Sequence, residues 1–244
     1  MKNRYIVDMF AFIFILLVSG ADLSAESPPQ WYSPLRDAIY EQELTADEIL
    51  PLYKNTSETA KSSFSGSPLY IMLSRCEYMM GRAYQYEEKK DKAAVHYAEG
   101  IKWAEKALEI QASSEAYQML AENISQSCAV NSASYAMSNG LNVEKYSKKA
   151  LEIDKKNAAA RIMLASRWIY PPWPLYDYKK GIDMMTVIPQ ECDYEKDDLF
   201  NVNIGIAYAY IQQKKYSLAK PWLLKCLELY PTNKFAQTLF AKTL

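Results

Sequence analysis

The stretch IAYAYIQQKKYSLAKPWLLKCLELYP, residues 206–231, decides the fold because it places small residues at fixed intervals. Ala207 and Ala219 are 12 positions apart, Cys226 lies 7 beyond Ala219, and Pro231 follows Cys226 by 5. Small residues at such points let two antiparallel helices approach closely, while the large residues between them fill the space on either side. The stretch therefore predicts a helical hairpin that closes at a proline.

Three further copies of this pattern lie earlier in the chain than residues 206–231. In one copy Ala93 lies 12 positions beyond Gly81, and its closing small residue, Ala107, lies 14 rather than 7 beyond Ala93. Seven extra residues add about two helical turns without rotating the buried face far, so the sequence predicts a lengthened second helix. The two middle copies are degenerate: one runs from Glu115–Ala121 to Lys149–Asp154 with an insertion around residues 128–142, and the other runs from Leu164–Trp168 to Tyr178–Ile182.

The segment YPPWPLY, residues 170–176, interrupts the copy that runs from Leu164–Trp168 to Tyr178–Ile182. Two prolines in succession cannot continue a helix, so the segment is predicted to be a loop between helices. Trp173 and Tyr176 on this stiff backbone could anchor a partner. Alternatively, they fold back over the ends of adjacent helices, and we favour this packing role because exposed aromatic patches without a partner are uncommon.

These copies resemble the tetratricopeptide repeat family over residues 68–244. The resemblance implies an all-α fold, an α-solenoid of tetratricopeptide-like hairpins with long helices and inserts, which has a groove, a binding role and no catalytic residues. The chain is also similar in style to periplasmic members with long helices, among them spirochaetal proteins that accompany substrate-binding subunits of transporters.

The first residues have the layout of a secretory signal peptide. Lys2 and Arg4 precede an apolar run at residues 9–18, and small residues follow, so cleavage after Ala21 or Ala25 is predicted. The run is shorter than the roughly 20 residues that a spanning helix needs. We therefore expect a signal peptide at 1–25, a periplasmic or secreted protein, and membrane contact only where the signal segment stays uncleaved.

The segment 26–67 is predicted to form capping helices before the repeats. Leu35, Ile39 and Leu44 indicate one helix, and residues 46–60 indicate another. Ser67 and the proline after it are predicted to open the first repeat as a cap and a first-turn proline. At the other end, residues 233–244 are predicted to form a short helix that covers the last hairpin.

Composition and isolated residues argue against several functions. The 28 basic and 29 acidic side chains give a net charge of −1, which argues against a nucleic-acid partner. His96 is the only histidine, and the four cysteines lie far apart, so neither a metal site nor a cofactor is expected. Buried cysteines acting as small apolar residues are favoured over disulfides. With no catalytic constellation in the sequence, the protein is predicted not to be an enzyme.

Candidate binding residues follow from the helix face that the resemblance places in the groove. That face holds the residues three positions before, one beyond and five beyond the small residue of each first helix. The partner-binding set is then Tyr78, Arg82, Tyr86, Gln118, Glu122, Gln126, Ser166, Tyr170, Ile204, Tyr208 and Gln212, together with Trp173 from the loop. Aromatic and polar groups in such a mixture are typical of a recognition surface, but they could equally contact neighbouring helices.

Two binding functions remain open at this stage, beside a hydrolytic activity that would need two acids facing each other within roughly 5 to 10 Å inside a cleft. The first is an exported, non-enzymatic scaffold or adaptor that holds a protein or peptide partner in the groove, within a transport or envelope assembly; it predicts that Tyr78, Tyr86 and Tyr208 are exposed together. The second is a small-ligand binding protein with an enclosed pocket that contains Trp103 or Trp168. The sequence also leaves self-association into a homo-oligomer open.

Overall fold

The described part of the chain is a row of helical hairpins. The computed structural model describes residues 28–172 and 174–244; the predicted signal peptide and Trp173 lie outside them. A 3-10 turn at Gln30–Tyr32 precedes the helices, which are α1 (Ser33–Glu41), α2 (Ala46–Ser63), α3 (Gly66–Tyr86), α4 (Lys90–Ile110), α5 (Ser114–Val130), α6 (Ala133–Ile153), α7 (Ala158–Ser166), α8 (Tyr178–Thr186), α9 (Ile188–Glu191), α10 (Lys196–Gln212), α11 (Tyr216–Leu229) and α12 (Lys234–Ala241). In these two ranges, extended pairing is limited to an isolated bridge between Asn157 and Asp193. The predicted all-α solenoid is confirmed.

The helices pack chiefly on their neighbours in the chain, and the predicted small residues lie where they meet. All six are buried: Gly81, Ala93, Ala121, Ala165, Ala207 and Ala219. At Gly81 a Cβ atom would lie 2.5 Å from the ring of Tyr97, so α3 and α4 can approach this closely only without a side chain there. The spacing read from the sequence thus reflects real helix contacts.

Helix lengths differ from the repeat pattern in two ways. The predicted lengthening is confirmed, since α4 has 21 residues and α11 has 14. The insertion predicted at 128–142 is accommodated in helices, because α5 continues to Val130 and α6 begins at Ala133. Both helices of that hairpin are simply longer, and the oxygen of Ser132 accepts a hydrogen bond from the Tyr135 backbone N–H at the turn between them.

Several helix starts have local causes. Thr45 and Glu48 form a reciprocal capping box at the start of α2. Asn157 and Asn233 cap the starts of α7 and α12. Their side-chain oxygens accept hydrogen bonds from the backbone N–H groups of Ala160 and Ala236. The predicted cap at Ser67 is wrong: α3 begins at Gly66, and Ser67 is buried inside its first turn.

The proline-rich interruption is confirmed as a loop between α7 and α8. Its two ends are joined by a hydrogen bond from the Asp177 N–H to the Trp168 carbonyl (2.9 Å), and the Asp177 side chain caps α8. The predicted final helix is confirmed as α12.

The N-terminal segment forms two helices, α1 and α2, that pack on each other before the first repeat. Helix α2 packs on α3 as a cap would, and α1 packs on α2 and α3 and contacts α10 through Tyr40. We call the side of the stack that carries the predicted binding residues of α3, α5 and α10 the groove side. The α1 side chains Leu35, Ile39 and Tyr40 are completely buried, whereas Leu44 lies outside the helix and is exposed. Across the two described ranges, none of the helices combines the length and the apolar character that a membrane span requires.

Candidate functional site

The groove side is divided into a covered part and an open part. Of the predicted binding residues, Tyr78, Gln118, Glu122 and Ile204 are buried; Arg82, Gln126, Ser166 and Tyr208 are half-buried; and Tyr86, Tyr170 and Gln212 are exposed. The expectation that Tyr78, Tyr86 and Tyr208 are exposed together is therefore wrong for Tyr78, which is only 3% exposed. The cause is α1, which covers this part of the surface.

Tyr40 is the centre of the contact between α1 and the groove side. Its hydroxyl accepts hydrogen bonds from Arg82 Nη1 (2.7 Å) and Asn201 Nδ2 (2.9 Å). Its ring stacks on Tyr230 at 5.0 Å between centroids and meets Phe200 edge-on at 5.4 Å. One side chain of α1 thus joins α3, α10 and the end of α11; we call this contact the α1 junction.

The C-terminal end of α1 is held by the turn before α12. Asn233 Nδ2 donates to the Tyr40 carbonyl (2.7 Å), and Thr232 Oγ1 donates to the Glu41 carbonyl (2.8 Å). The Lys234 backbone N–H donates to Gln42 Oε1 (2.8 Å). The last hairpin and the first helix are therefore tied together, although they lie at opposite ends of the sequence.

Buried charges accompany this contact. Arg36 of α1 pairs with Glu195 at 3.2 Å and with Asp197 at 3.8 Å. Burial raises the pKa of Glu122 to about 7, although Arg75 opposes the shift. Burial, and then the neighbouring Asp197 carboxylate, raise the pKa of Asp198. These carboxyl groups therefore hold protons more tightly than exposed ones do.

The open part of the groove side carries an aromatic face formed by Tyr86, Tyr170, Tyr208 and Phe235. The Tyr170 and Tyr208 rings lie 5.2 Å apart, and the Tyr208 and Phe235 rings 6.4 Å apart. Tyr86, whose hydroxyl accepts a hydrogen bond from Arg82 Nη2, lies near enough to Tyr170 to contribute to the raised pKa of Tyr170. Three predicted binding residues, drawn from three helices or their ends, are thus brought together.

The pKa of Tyr170 shows how crowded the aromatic face is. Burial of its hydroxyl raises the pKa, Arg82 opposes the shift, and Tyr208 and Tyr86 add to it. The residue as a whole is 46% exposed, and its hydroxyl lies against α10 at Gly205 while part of the ring faces solvent. At this position the face therefore offers flat ring surface rather than a hydroxyl group.

A second feature is a polar cleft of about 300 Å³ between the starts of α5 and α7 and the segment before α10. Arg75 and Gln118 line it, together with Pro28, Glu115, Asp154, Lys156, Asn157, Ala158, Ala159, Cys192, Asp193, Tyr194, Glu195 and Asp198. Gln118, one of the predicted binding residues, is the only one of them on this lining. The predicted pocket around Trp103 or Trp168 does not correspond to this cleft.

Those two tryptophans pack elsewhere in the molecule. Trp103 stacks on Tyr70 at 5.5 Å, with the Lys106 ammonium 4.2 Å from its ring centre. Trp168 lies beneath the Lys180 ammonium at 3.7 Å. Both are cation–π contacts at helix surfaces, so neither tryptophan takes the ligand-lining role expected of it.

The remaining reactive side chains have packing roles. His96 Nδ1 lies 2.6 Å from Glu77 Oε2, and its ring stacks on Tyr84 at 5.4 Å. Cys76 and Cys226 are fully buried, and burial raises the pKa of the Cys76 thiol to about 12. Within residues 28–172 and 174–244, no group of His, Cys, Asp and Glu side chains is arranged to hold a metal ion.

Sequence reasoning missed the α1 junction, Arg75 and Phe235. The spacing of Leu35, Ile39 and Tyr40 marks one apolar helix face, but that pattern does not say what the face packs against. Phe235 could have been found by extending the repeat register to α12, which follows Asn233 as α7 follows Asn157.

Comparison with known proteins gives two family matches. A family model described as regulator of microtubule dynamics protein 1-3 matches residues 36–186. A model described as tetratricopeptide repeat matches residues 201–233, which confirms the resemblance for the last complete hairpin. A search of curated proteins found no match.

Among solved structures, the chain is similar to YrrB, described as a TPR protein with an unusual peptide-binding site. The two chains share 16% sequence identity over 88% of this chain and 91% of that chain, with a TM-score of 0.39. No residue of YrrB is carried over to this chain.

Proposed function

Because this chain belongs to the regulator of microtubule dynamics protein 1-3 family, and its last hairpin matches the tetratricopeptide repeat, we propose that it is a non-enzymatic adaptor. It holds a segment of a partner protein against the aromatic face. Helical repeats of this kind are interaction scaffolds that present an extended surface.

One observation carries the proposal: aromatic side chains are exposed next to one another on the groove side. Tyr86 is 38% exposed, Tyr170 is 46% and Phe235 is 42%, and Tyr208 lies in ring contact with two of them. Isolated apolar residues on a surface need no explanation, but a contiguous aromatic patch with polar groups at its edge is characteristic of an interface.

The chemistry of the face favours a peptide segment with apolar side chains. Tyrosines supply large, stiff contact areas that lose little conformational entropy on binding. The hydroxyls of Tyr86 and Tyr208, with Gln212 one turn beyond Tyr208, can bond to backbone groups of the bound segment. Arg82 already donates to Tyr40, Tyr78 and Tyr86, so it positions the face and has few donors left for the ligand.

Export is the second element of the proposal. The layout of residues 1–25 supports secretion with cleavage after Ala21 or Ala25, which would place the adaptor in a periplasm or outside the cell. Expression of the full chain in a secreting host, followed by intact-mass measurement of the exported protein, tests this. A mass that retains Met1 would contradict cleavage, whichever partner the protein binds.

Site-specific photocrosslinking tests the aromatic face. A benzophenone amino acid replaces Tyr170 in one variant and Tyr216 in a matched control, because Tyr216 is 41% exposed but lies at the start of α11, outside the face. After irradiation in native extract, we expect a crosslinked product from the Tyr170 position and none from the Tyr216 position. The crosslinked peptide, identified by mass spectrometry, should contain apolar residues.

The same experiment distinguishes binding of a partner protein at the aromatic face from self-association of this chain. A second variant, Phe235→Ala combined with the probe at Tyr170, should lose most of the crosslinked product. Equal products from both probe positions would overturn the assignment of the face. A product at twice the mass of this chain would show that the face joins two copies, so that self-association would replace the adaptor function.

A further inference from the structure

The aromatic face is built around Tyr208, whose ring contacts two others. The ring centres of Tyr170 and Phe235 lie 5.2 Å and 6.4 Å from that of Tyr208. Both pairs are tilted, by 39° and 34°, so the rings do not close into one parallel stack. Tyr170 and Phe235 each keep part of their surface in solvent. The face therefore offers contiguous ring surface to a segment that runs across several rings.

The rings of the face are held by rigid parts of the fold. Tyr208 lies inside α10, and Phe235 lies in the first turn of α12, which Asn233 caps. Tyr170 donates its N–H to the Ser166 carbonyl (3.0 Å), and the proline after it restricts its backbone. Rings that are already in place lose little conformational entropy when a ligand binds. A ligand that is also stiff before it binds would keep this advantage.

Polar groups at the face can donate hydrogen bonds to a ligand. The Tyr86 hydroxyl accepts from Arg82 Nη2, so its own hydrogen is left to donate. The side chain of Gln212, one turn beyond Tyr208, is exposed and offers amide N–H donors. The Arg82 guanidinium, 5.3 Å from the centre of the Tyr86 ring, disfavours a cationic ligand. The face is therefore complementary to carbonyl oxygens that lie next to flat apolar groups.

Among the common peptide conformations, polyproline II fits these donors best. An α-helix uses its carbonyls in internal hydrogen bonds. A β-strand binds by pairing with the edge of a sheet, and in residues 28–172 and 174–244 extended pairing is limited to the isolated bridge between Asn157 and Asp193. A polyproline II segment has no internal hydrogen bonds, so its carbonyls are exposed. Its prolines have no N–H, so they leave no donor unsatisfied against the rings.

We infer that the aromatic face binds a proline-rich segment of the partner protein in the polyproline II conformation. The pyrrolidine rings of the segment pack on Tyr170, Tyr208 and Phe235. Its carbonyl oxygens accept hydrogen bonds from Tyr86 and Gln212. The inference rests on the adaptor function proposed above and names the class of segment that the adaptor holds. Such segments are stiff before they bind, and aromatic surfaces are the sites on which they dock.

Fluorescence anisotropy with the purified chain tests the inference. The probe is a blocked, labelled peptide of Pro-Pro-Leu repeats. The matched peptide of equal length has Ala-Ala-Leu repeats, which keep the leucines and remove the prolines. We expect the proline peptide to bind with a dissociation constant below about 1 mM. The alanine peptide should bind at least about tenfold more weakly, because it lacks the flat rings and must be ordered on binding.

Three variants locate the bound peptide. Phe235→Ala removes one ring of the face and should weaken binding about tenfold. Tyr86→Phe keeps the ring but removes the donated hydrogen bond, and should weaken binding about threefold to tenfold. Tyr194→Ala is the matched control, because this tyrosine is 46% exposed but lines the polar cleft before the start of α10. It should bind the proline peptide like the wild type.

The inference is overturned if the proline peptide does not bind with a dissociation constant below about 1 mM, or if the alanine peptide binds as tightly. It is also overturned if Tyr194→Ala weakens binding as much as Phe235→Ala. If Phe235→Ala does not fold, the two peptides and Tyr86→Phe still decide. Photocrosslinking at Tyr170 is measured separately. A partner crosslinked there without binding of the proline peptide would leave the adaptor function standing and remove only the proline-rich class of ligand, whereas failure of both experiments would remove both.

Discussion

Tyr78 and Tyr86 lie two turns apart on the same face of α3, yet one is buried and the other is exposed. The repeat pattern predicts that both side chains point to the groove side. Tyr78 lies in the part that α1 covers, where Arg82 connects it to Tyr40, while Tyr86 belongs to the open aromatic face. The difference teaches that a register position fixes the direction of a side chain, whereas its exposure depends on what lies above it.

The two parts of the groove side also differ in what holds them together. The α1 junction combines buried rings with charges and hydrogen bonds that are satisfied inside the chain. The aromatic face keeps part of each ring in solvent, so the same residue type contributes stability in one place and a surface for recognition in the other. Substitutions in the α1 junction should therefore lower the free energy of unfolding more than substitutions in the aromatic face.

The largest expected effect comes from Tyr40→Ala. Removing a fully buried ring that contacts Tyr230 and Phe200 should lower the free energy of unfolding by about 3–5 kcal/mol. Tyr170→Ala, the matched variant on the open face, should lower it by less than about 1 kcal/mol. Urea denaturation followed by circular dichroism measures both, and equal losses would remove the distinction between the two parts.

The next effect is a gain of stability at Glu122. Its pKa of about 7 in the folded chain lies above the ordinary value of 4.5, so folding favours the protonated carboxyl. The wild type should therefore lose stability as pH rises from about 4.5 through about 7. Glu122→Gln keeps an acceptor for Gln118 without a charge, and should raise the free energy of unfolding by about 1–3 kcal/mol at pH 8.

Denaturation curves at pH 5 and pH 8 check this prediction, because the gain should nearly vanish at the lower pH. Glu99→Gln is the control, since Glu99 pairs with Lys102 on the surface. A gain of equal size at both pH values would show that titration of Glu122 does not cause it.

The smallest expected effect concerns Asn233, which caps α12 and also donates to the Tyr40 carbonyl. Asn233→Ala should cost about 1–2 kcal/mol, because both hydrogen bonds are lost. Ser132→Ala, which removes only an exposed cap on α6, should cost about 0.5–1 kcal/mol. Hydrogen exchange should also speed up in α1 for the first variant alone; unchanged exchange there would mean that the Asn233 bond does not hold α1.

The hairpins could be predicted because their signal is local. Gly81 with Ala93, and Ala207 with Ala219, mark helix contacts between neighbours in the chain, and the structure buries all four. Whether the insertion at 128–142 is helix or loop could not be predicted, because a longer helix pair leaves the same gap between two repeat spacings as a loop does. Helix continuation there depends on the caps at the turn, such as Ser132, and not on the repeat.

The candidate site could be predicted only in part. Tyr86, Tyr170 and Tyr208 came from the register and do lie together. The sequence could not show that Gln118 and Glu122 are buried, or that Arg75 Nε has no hydrogen-bond partner among the described residues. Each of these properties depends on a segment more than thirty residues away along the chain.

The sequence by itself determined the helices, their pairing and the direction in which each first helix faces, because these follow from short-range spacing and steric fit. Only the tertiary structure decided that α1 returns to the groove side and meets the turn before α12. That contact joins residues nearly two hundred positions apart, such as Tyr40 and Asn233. Its free energy comes from burying side chains whose partners no local pattern specifies, and it leaves one part of the surface covered and the other open.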